Sequence, residues 1–391
     1  MSKKNMTPEM QAEVPAKKKK KKGSGWFGRL VRRFFLLLFT IIFLVAGALI
    51  LLMNLVFNGP SAAAQEVLTM SLIEASATKW VPALFIGEER VAEIRASVGA
   101  ELPQDVSTST KVTIQKNNAL SSNSDEWANY PDGIRIERLS GDTYNAHVMI
   151  VRDPSTVYMG TSTEKYSTAI PGKRITEMMD ANPDAIAAVN AGAFFDDGTS
   201  GPAVGSHPLG LVMSNGSCVW SSGKQPGLEG FAGFNEENIL VVSKKNLSQK
   251  EAAELKIRDG CCFGPVLIMD GEPNLEAFNN NSGYNPRTAI GQRADGAVIF
   301  VCIDGRQAAS LGGTYADIIN IMVEYGAVNA CNLDGGASSV MLYKDTEGRY
   351  EGKDNVRYGD DIVMINSYSV LQKNPRKMPT FFMVRPEESE G

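Results

Sequence analysis

Histidine is nearly absent from this chain: 391 residues hold only His147 and His207. A metal centre built on several imidazoles is therefore excluded. Cysteine is scarce too, limited to Cys218, Cys261, Cys262, Cys302 and Cys331. The number is odd and no CxxC spacing occurs, which argues against a disulfide framework and against a structural zinc site. Cys302 and Cys331 lie inside apolar runs and are expected as core thiols. Charge is unevenly placed along the chain. Eleven of its 39 lysines and arginines fall in residues 1–33, against only Glu9 and Glu13, while the whole chain carries −5. The remainder is acidic, so it lacks the basic footprint that a nucleic-acid backbone requires. No nucleic-acid partner is expected.

What is present begins with a long apolar run. From Phe34 to Phe57, "FFLLLFTIIFLVAGALILLMNLVF", there is no charged residue. At about 1.5 Å per residue a helix of this length crosses a hydrocarbon layer of roughly 30 Å. The lysines and arginines cluster before it, which puts the N-terminus in the cytoplasm and the rest outside. "SAAAQ" (Ser61 to Gln65) resembles a signal-peptide cleavage site. The apolar run is longer than the usual h-region, so an uncleaved anchor is expected instead.

The chain then divides into a basic cytoplasmic tail (1–33), a transmembrane helix (34–57), a juxtamembrane helical stalk and linker (58–129) and one larger domain (130–386). In that domain "YNAHVMIVRD", "STVYMGT", "IAAVNAG", "LGLVMSNG", "GPVLIMDGEP", "AVIFVCIDGR", "VNACNLD" and "TFFMVRP" read as strands closed by turn residues. "ITEMMDANPDA" and "TYADIINIMVEYGA" have helical apolar spacing, the second with Gly326 as its stop. Many strands and a few helices predict an α+β domain with mixed or antiparallel sheets.

Four polar constellations interrupt this pattern at strand ends. "VNAGAFFDDG" carries Asn190, Phe194 and Phe195, and "YNPRTAIG" carries Arg287. "CIDGRQ" carries Asp304 and Arg306, and "NLDGGASSVML" carries Asp334, Gly335, Gly336, Ser338 and Ser339. Each alone is consistent with an ordinary turn, and Asp304 or Asp334 could simply cap its own loop. Together they offer carboxylates, guanidinium groups, an amide and glycine-bared peptide groups. That is equipment for holding an anion beside a working carboxylate. His207, in "GSHPLG", reads as a loop histidine. Asp196 and Asp197 could hold a hard cation or lie solvated, so metal is left unassigned and no cofactor is assigned.

"NPRTAIG", "IDGR" and "NLDGGASS", in that order with a helix between the last two, resemble the phosphodiester glycosidase family over roughly Asp142 to Val384. Ala193 and Ala337 stand where that family often has glycine. The resemblance implies hydrolysis of a sugar–O–phosphate bond at the anomeric carbon. It implies Arg287 and Arg306 as phosphate clamps, extended by Gly335 and Gly336 N–H groups and by Ser338 and Ser339. Asp334 would be base or nucleophile and Asp304 the second carboxylate. Asn190 would orient a sugar hydroxyl, and Phe194 or Phe195 would form an apolar wall. The resulting expectation is a single-pass membrane protein, its catalytic domain extracytoplasmic, acting on phosphate-linked cell-envelope or exopolysaccharide glycans. The rival expectation is a non-catalytic envelope protein that binds phosphorylated glycan during exopolysaccharide assembly.

Overall fold

The computed structural model describes residues 25–73, 78–97, 106–107, 111–112, 124–167, 169–195, 204–223, 228–280, 282–350, 356–368 and 374–387. Residues 1–24 of the basic tail, Asp196–Asp197 and most of the linker lie outside the described residues. The chain divides into two units, Met1–Leu55 and Val56–Gly391.

The first unit consists, among the described residues, of most of helix α1 (Gly25–Phe57). Helix α1 over Arg29–Phe57 has a mean hydropathy of 3.1, with no residue buried in its most apolar 18-residue stretch, and is long and apolar enough to cross a membrane.

The second unit is α+β, as expected, and every strand pairing among its described residues is antiparallel. A seven-stranded sheet lies at its centre. Its order runs Glu272–Pro273, Val266–Met269, Ala327–Leu333, Arg287–Arg293, Val298–Ile303, Asn145–Val151, Ile134–Ser140. Two six-stranded sheets accompany it. One contains Leu240–Ser243 and Phe231–Asn235, and the other contains Ala187–Asn190, Met341–Lys344 and Thr380–Val384.

The run "VIFVCI" is apolar at every position because its strand is covered on both faces. Val298, Phe300 and Cys302 face the other two sheets, alongside Val189, Val242 and Phe382. Ile299, Val301 and Ile303 face Ile318, Ile319 and Met322 of the helix Tyr315–Glu324. That helix starts at a capping box. Thr314 Oγ1 accepts from Asp317 N at 3.2 Å, and the Asp317 carboxylate accepts from Thr314 N at 2.7 Å. Gly326, at φ 75°, ends it.

Two helices, α2 (Ala62–Ile73) and α3 (Val81–Ser97), follow α1. Phe57, Met70 and Ile94 are buried, and Ser71 Oγ accepts from Tyr284 N at 2.9 Å. The two helices pack on each other, and α2 also meets the loop at Gly283 and Tyr284. The five cysteines are free thiols, four of them buried, and burial pushes Cys262 up to about 11.

Candidate active site

Sheet register brings the polar turns together. The strand beginning at Arg287 pairs antiparallel with both neighbours, Arg287 opposite Ile303 and Thr288 opposite Leu333. Its start therefore lies beside both neighbours' ends. Asp304 and Asp334, the first residues beyond those ends, emerge at the same edge as Arg287. From the adjoining sheet Asn190 reaches the same place.

The two glycines after Asp334 answer a demand for space. A Cβ on Gly335 would sit 2.8 Å from the Pro286 carbonyl oxygen. Gly336 has φ 62°, and a Cβ there would meet Arg306 Nη2 at 3.2 Å. The loop thus threads between a backbone and a guanidinium group, which only glycine permits. The Gly336 N–H, expected to face an anion, donates instead to Pro286 O at 2.8 Å.

Three of the expected site residues are buried and bonded within the protein. Arg287 is 2% exposed. Its Nε donates to Gly313 O at 3.1 Å, and its Nη2 donates to Ser282 O at 2.8 Å and Gly283 O at 3.1 Å. The guanidinium lies 4.4 Å from the Tyr315 ring centroid, so its fork pins two loops rather than opening to solvent. Asp304 is buried, with Oδ2 3.2 Å from His147 Nε2 and Oδ1 accepting from Ser367 N at 2.9 Å. Its carboxylate braces the segment leading to Tyr368. Asn190 is fully buried. Its Oδ1 accepts from Thr288 Oγ1 at 2.9 Å and Val340 N at 3.1 Å, while Nδ2 donates to Asp334 O at 2.5 Å. The amide is thus tied at both its oxygen and its nitrogen.

What faces outward is a different set. Arg306 is exposed, held at φ 58°, with Nη2 donating to Asn285 Oδ1 at 3.1 Å. Asp334 is half-buried. Tyr368 donates its hydroxyl hydrogen to Ala337 O and accepts from Arg376 N at 3.0 Å. Burial pushes the Tyr368 phenol up. The Asp334 charge acts in the same direction, while Arg376 and Arg306 pull it down. One carboxylate and two guanidinium groups are thus all within electrostatic reach of a single hydroxyl. Arg376 also sits 4.8 Å above the Phe194 ring.

Close by are polar groups with unmet capacity. The buried hydroxyls of Ser338 and Ser339 and the amide nitrogen of Asn285 have no partner among the described residues. Buried polar atoms are almost always paired, so three orphans along one rim point to a polar ligand. Phe195 is exposed and stacks on His207 at 5.0 Å, with Trp220 beyond at 5.4 Å. Burial pushes the His207 imidazole down. Among the described residues no three histidine, cysteine or acidic side chains gather to hold a metal ion.

Arg376, Tyr368 and Asn285 were not singled out from the sequence. Asn285 stands inside a quoted motif, and its zero exposure only appears on folding. Arg376 and Tyr368 lie on segments with no turn or period signal.

A family model described as phosphodiester glycosidase matches residues 183–385. The SPbeta prophage-derived uncharacterized protein YomE of Bacillus subtilis (strain 168) is 24% identical over 238 residues, 60% of this chain and 34% of that protein. This chain therefore spans about a third of that relative. Among solved structures, the zebrafish N-acetylglucosamine-1-phosphodiester alpha-N-acetylglucosaminidase catalytic domain, auto-inhibited by its pro-peptide, is 19% identical with a TM-score of 0.46. That likeness covers 73% of this chain and 87% of the zebrafish one. A putative exported protein from Burkholderia pseudomallei is 14% identical with a TM-score of 0.41, covering 74% and 99%.

Proposed function

This chain belongs to the phosphodiester glycosidase family, and we propose that it is a membrane-anchored, extracytoplasmic hydrolase of sugar-1-phosphodiester bonds in cell-envelope or exopolysaccharide glycans. The observation that carries this reading is the meeting of Asp334, Arg306 and Arg376 around Tyr368, beside the orphan hydroxyls of Ser338 and Ser339. A diester phosphate is an anion and suits the two guanidinium forks. Sugar hydroxyls suit the unpaired serines and the Asn285 amide.

In the reaction water adds at the anomeric carbon and the bond from that carbon to the phosphate oxygen breaks. A phosphomonoester is already a good leaving group, so little acid help is needed, unlike the carboxylate pair of ordinary glycosidases. Asp334 takes the water proton or forms the covalent intermediate, and its charge steadies the cationic sugar ring. Asn190, Arg287 and Asp304 act by holding this arrangement in place. The apolar helix, with basic residues before it, anchors the chain in the membrane with the catalytic domain outside.

The test is turnover of a chromogenic sugar phosphodiester by the full chain and by Asp334→Asn. Loss of about 10²–10³-fold in kcat with an unchanged melting temperature is expected. Wild-type turnover by the variant overturns the assignment. Saturable binding without turnover by the unaltered chain favours the glycan-binding alternative.

A further inference from the structure

Within the second unit, α2 packs against the loop that carries Tyr284 and Asn285. Phe57, the last residue of α1, is buried and stacks on Phe85 at 5.1 Å. Gln65 of α2 donates from Nε2 to Phe57 O at 2.6 Å. Further along α2, Ser71 Oγ accepts from Tyr284 N at 2.9 Å. Gly283, at φ 73°, packs so closely that a Cβ would fall 2.6 Å from Ser71 N and 2.9 Å from Val67 O. From Gln65 to Ser71 a helix rises about 9 Å, which keeps the Tyr284 backbone within about 20 Å of Phe57.

Tyr284 precedes Asn285, the partner of Arg306, and its side chain is 39% exposed. Across from it, the backbone of Gly312 lies against Asn285, where a Cβ would come within 2.5 Å of Asn285 N. The neighbouring Leu311 is 55% exposed, and its carbonyl accepts from Arg306 N at 3.1 Å. Two exposed apolar residues are therefore next, in chain or by backbone hydrogen bond, to Arg306 and its partner Asn285. On the helical pair itself Trp80 and Leu84 are 59% and 71% exposed, a pairing suited to a bilayer's interfacial zone.

We propose that the alcohol on the far side of the phosphate is a membrane lipid, so that the site takes a sugar phosphodiester carried in the bilayer. This rests on the glycosidase reading above and narrows it. Arg306 takes the phosphate, and the exposed Tyr284 and Leu311, next in chain or by hydrogen bond to the groups that hold Arg306, offer apolar surface for the start of a hydrocarbon chain. Anchoring enzyme and substrate in one surface raises their effective concentration without any new contact. Hydrolysis places water's hydroxyl on the sugar's anomeric carbon and its proton on the released oxygen. The lipid phosphomonoester stays in the bilayer and the sugar leaves.

The full chain is reconstituted in phosphatidylcholine vesicles with two substrates bearing the same sugar 1-phosphate. One is esterified to butanol, the other to a long-chain isoprenoid alcohol. At equal total concentration the isoprenoid substrate is expected to react at least about tenfold faster, in line with surface confinement. Tyr284→Ser combined with Leu311→Ser is expected to raise KM for the isoprenoid substrate more than for the butyl one. Equal rates, or equal effects of the double variant on both substrates, overturn the lipid assignment and leave the glycosidase reading standing. No turnover of either substrate overturns both.

Discussion

Asn190 donates from Nδ2 to the backbone carbonyl of Asp334 at 2.5 Å, so a residue of one sheet fixes the acidic residue at the edge of another. The return bond, Asp334 N to Ala191 O at 3.0 Å, closes the clasp. Position at this site is set by backbone contacts between sheets, and the side chains that meet solvent ride on them.

Replacing Asn190 by alanine strips partners from the Asp334 carbonyl, the Thr288 hydroxyl and Val340 N together. Each buried group left unpaired costs about 1–3 kcal/mol. The expected result is a lower melting temperature and a fall in kcat that exceeds any rise in KM. Thermal denaturation and steady-state kinetics on one preparation measure both.

The arginines should separate by role. Arg306→Ala removes an exposed charge, so KM for a sugar phosphodiester is expected to rise about tenfold or more with little change in stability. Arg376→Ala should behave similarly. Arg287→Ala instead removes a donor from the carbonyls of Ser282, Gly283 and Gly313, the last keeping only Asn285 N, and should cost about 2–4 kcal/mol. Denaturant unfolding alongside kinetics distinguishes the two patterns, and an unchanged stability for Arg287→Ala contradicts the pinning role.

Alkali should unfold the second unit. Burial pushes the Tyr158 phenol up to about 12 and raises Tyr166 and Tyr343 as well. Above pH 10 the unfolded chain loses these protons first, so stability present at neutral pH declines as pH rises through 10 towards 12. Melting temperature followed from pH 9 to 11 should fall, and Tyr158→Phe should make the fall shallower.

Much of this was legible in the sequence, and the limits are physical. The strand "VIFVCI", the helix starting after Thr314 and the strand before Asp334 followed from apolar spacing and punctuation. Antiparallel register then brought Arg287, Asp304 and Asp334 to one edge. Side-chain direction was not legible. Arg287 and Arg306 stand in similar Gly- or Pro-marked turns, yet one is buried against carbonyls and the other faces out. What decides this is the positive φ at Arg306 and the loop Ser282–Gly283 waiting for Arg287, neither written locally. Arg376 and Tyr368 join the site from remote segments through tertiary contact. The contact of α2 with Gly283 and Tyr284 was not legible either, because a helix face does not announce what will meet it.

The central claim is that the bond broken is the one from the anomeric carbon to oxygen. Hydrolysis of a sugar 1-phosphodiester by the full chain in heavy-oxygen water, with both products weighed by mass spectrometry, tests it directly. The account predicts the label in the anomeric hydroxyl of the released sugar and none in the phosphomonoester. Label in the phosphate instead would mean attack at phosphorus, and would contradict it.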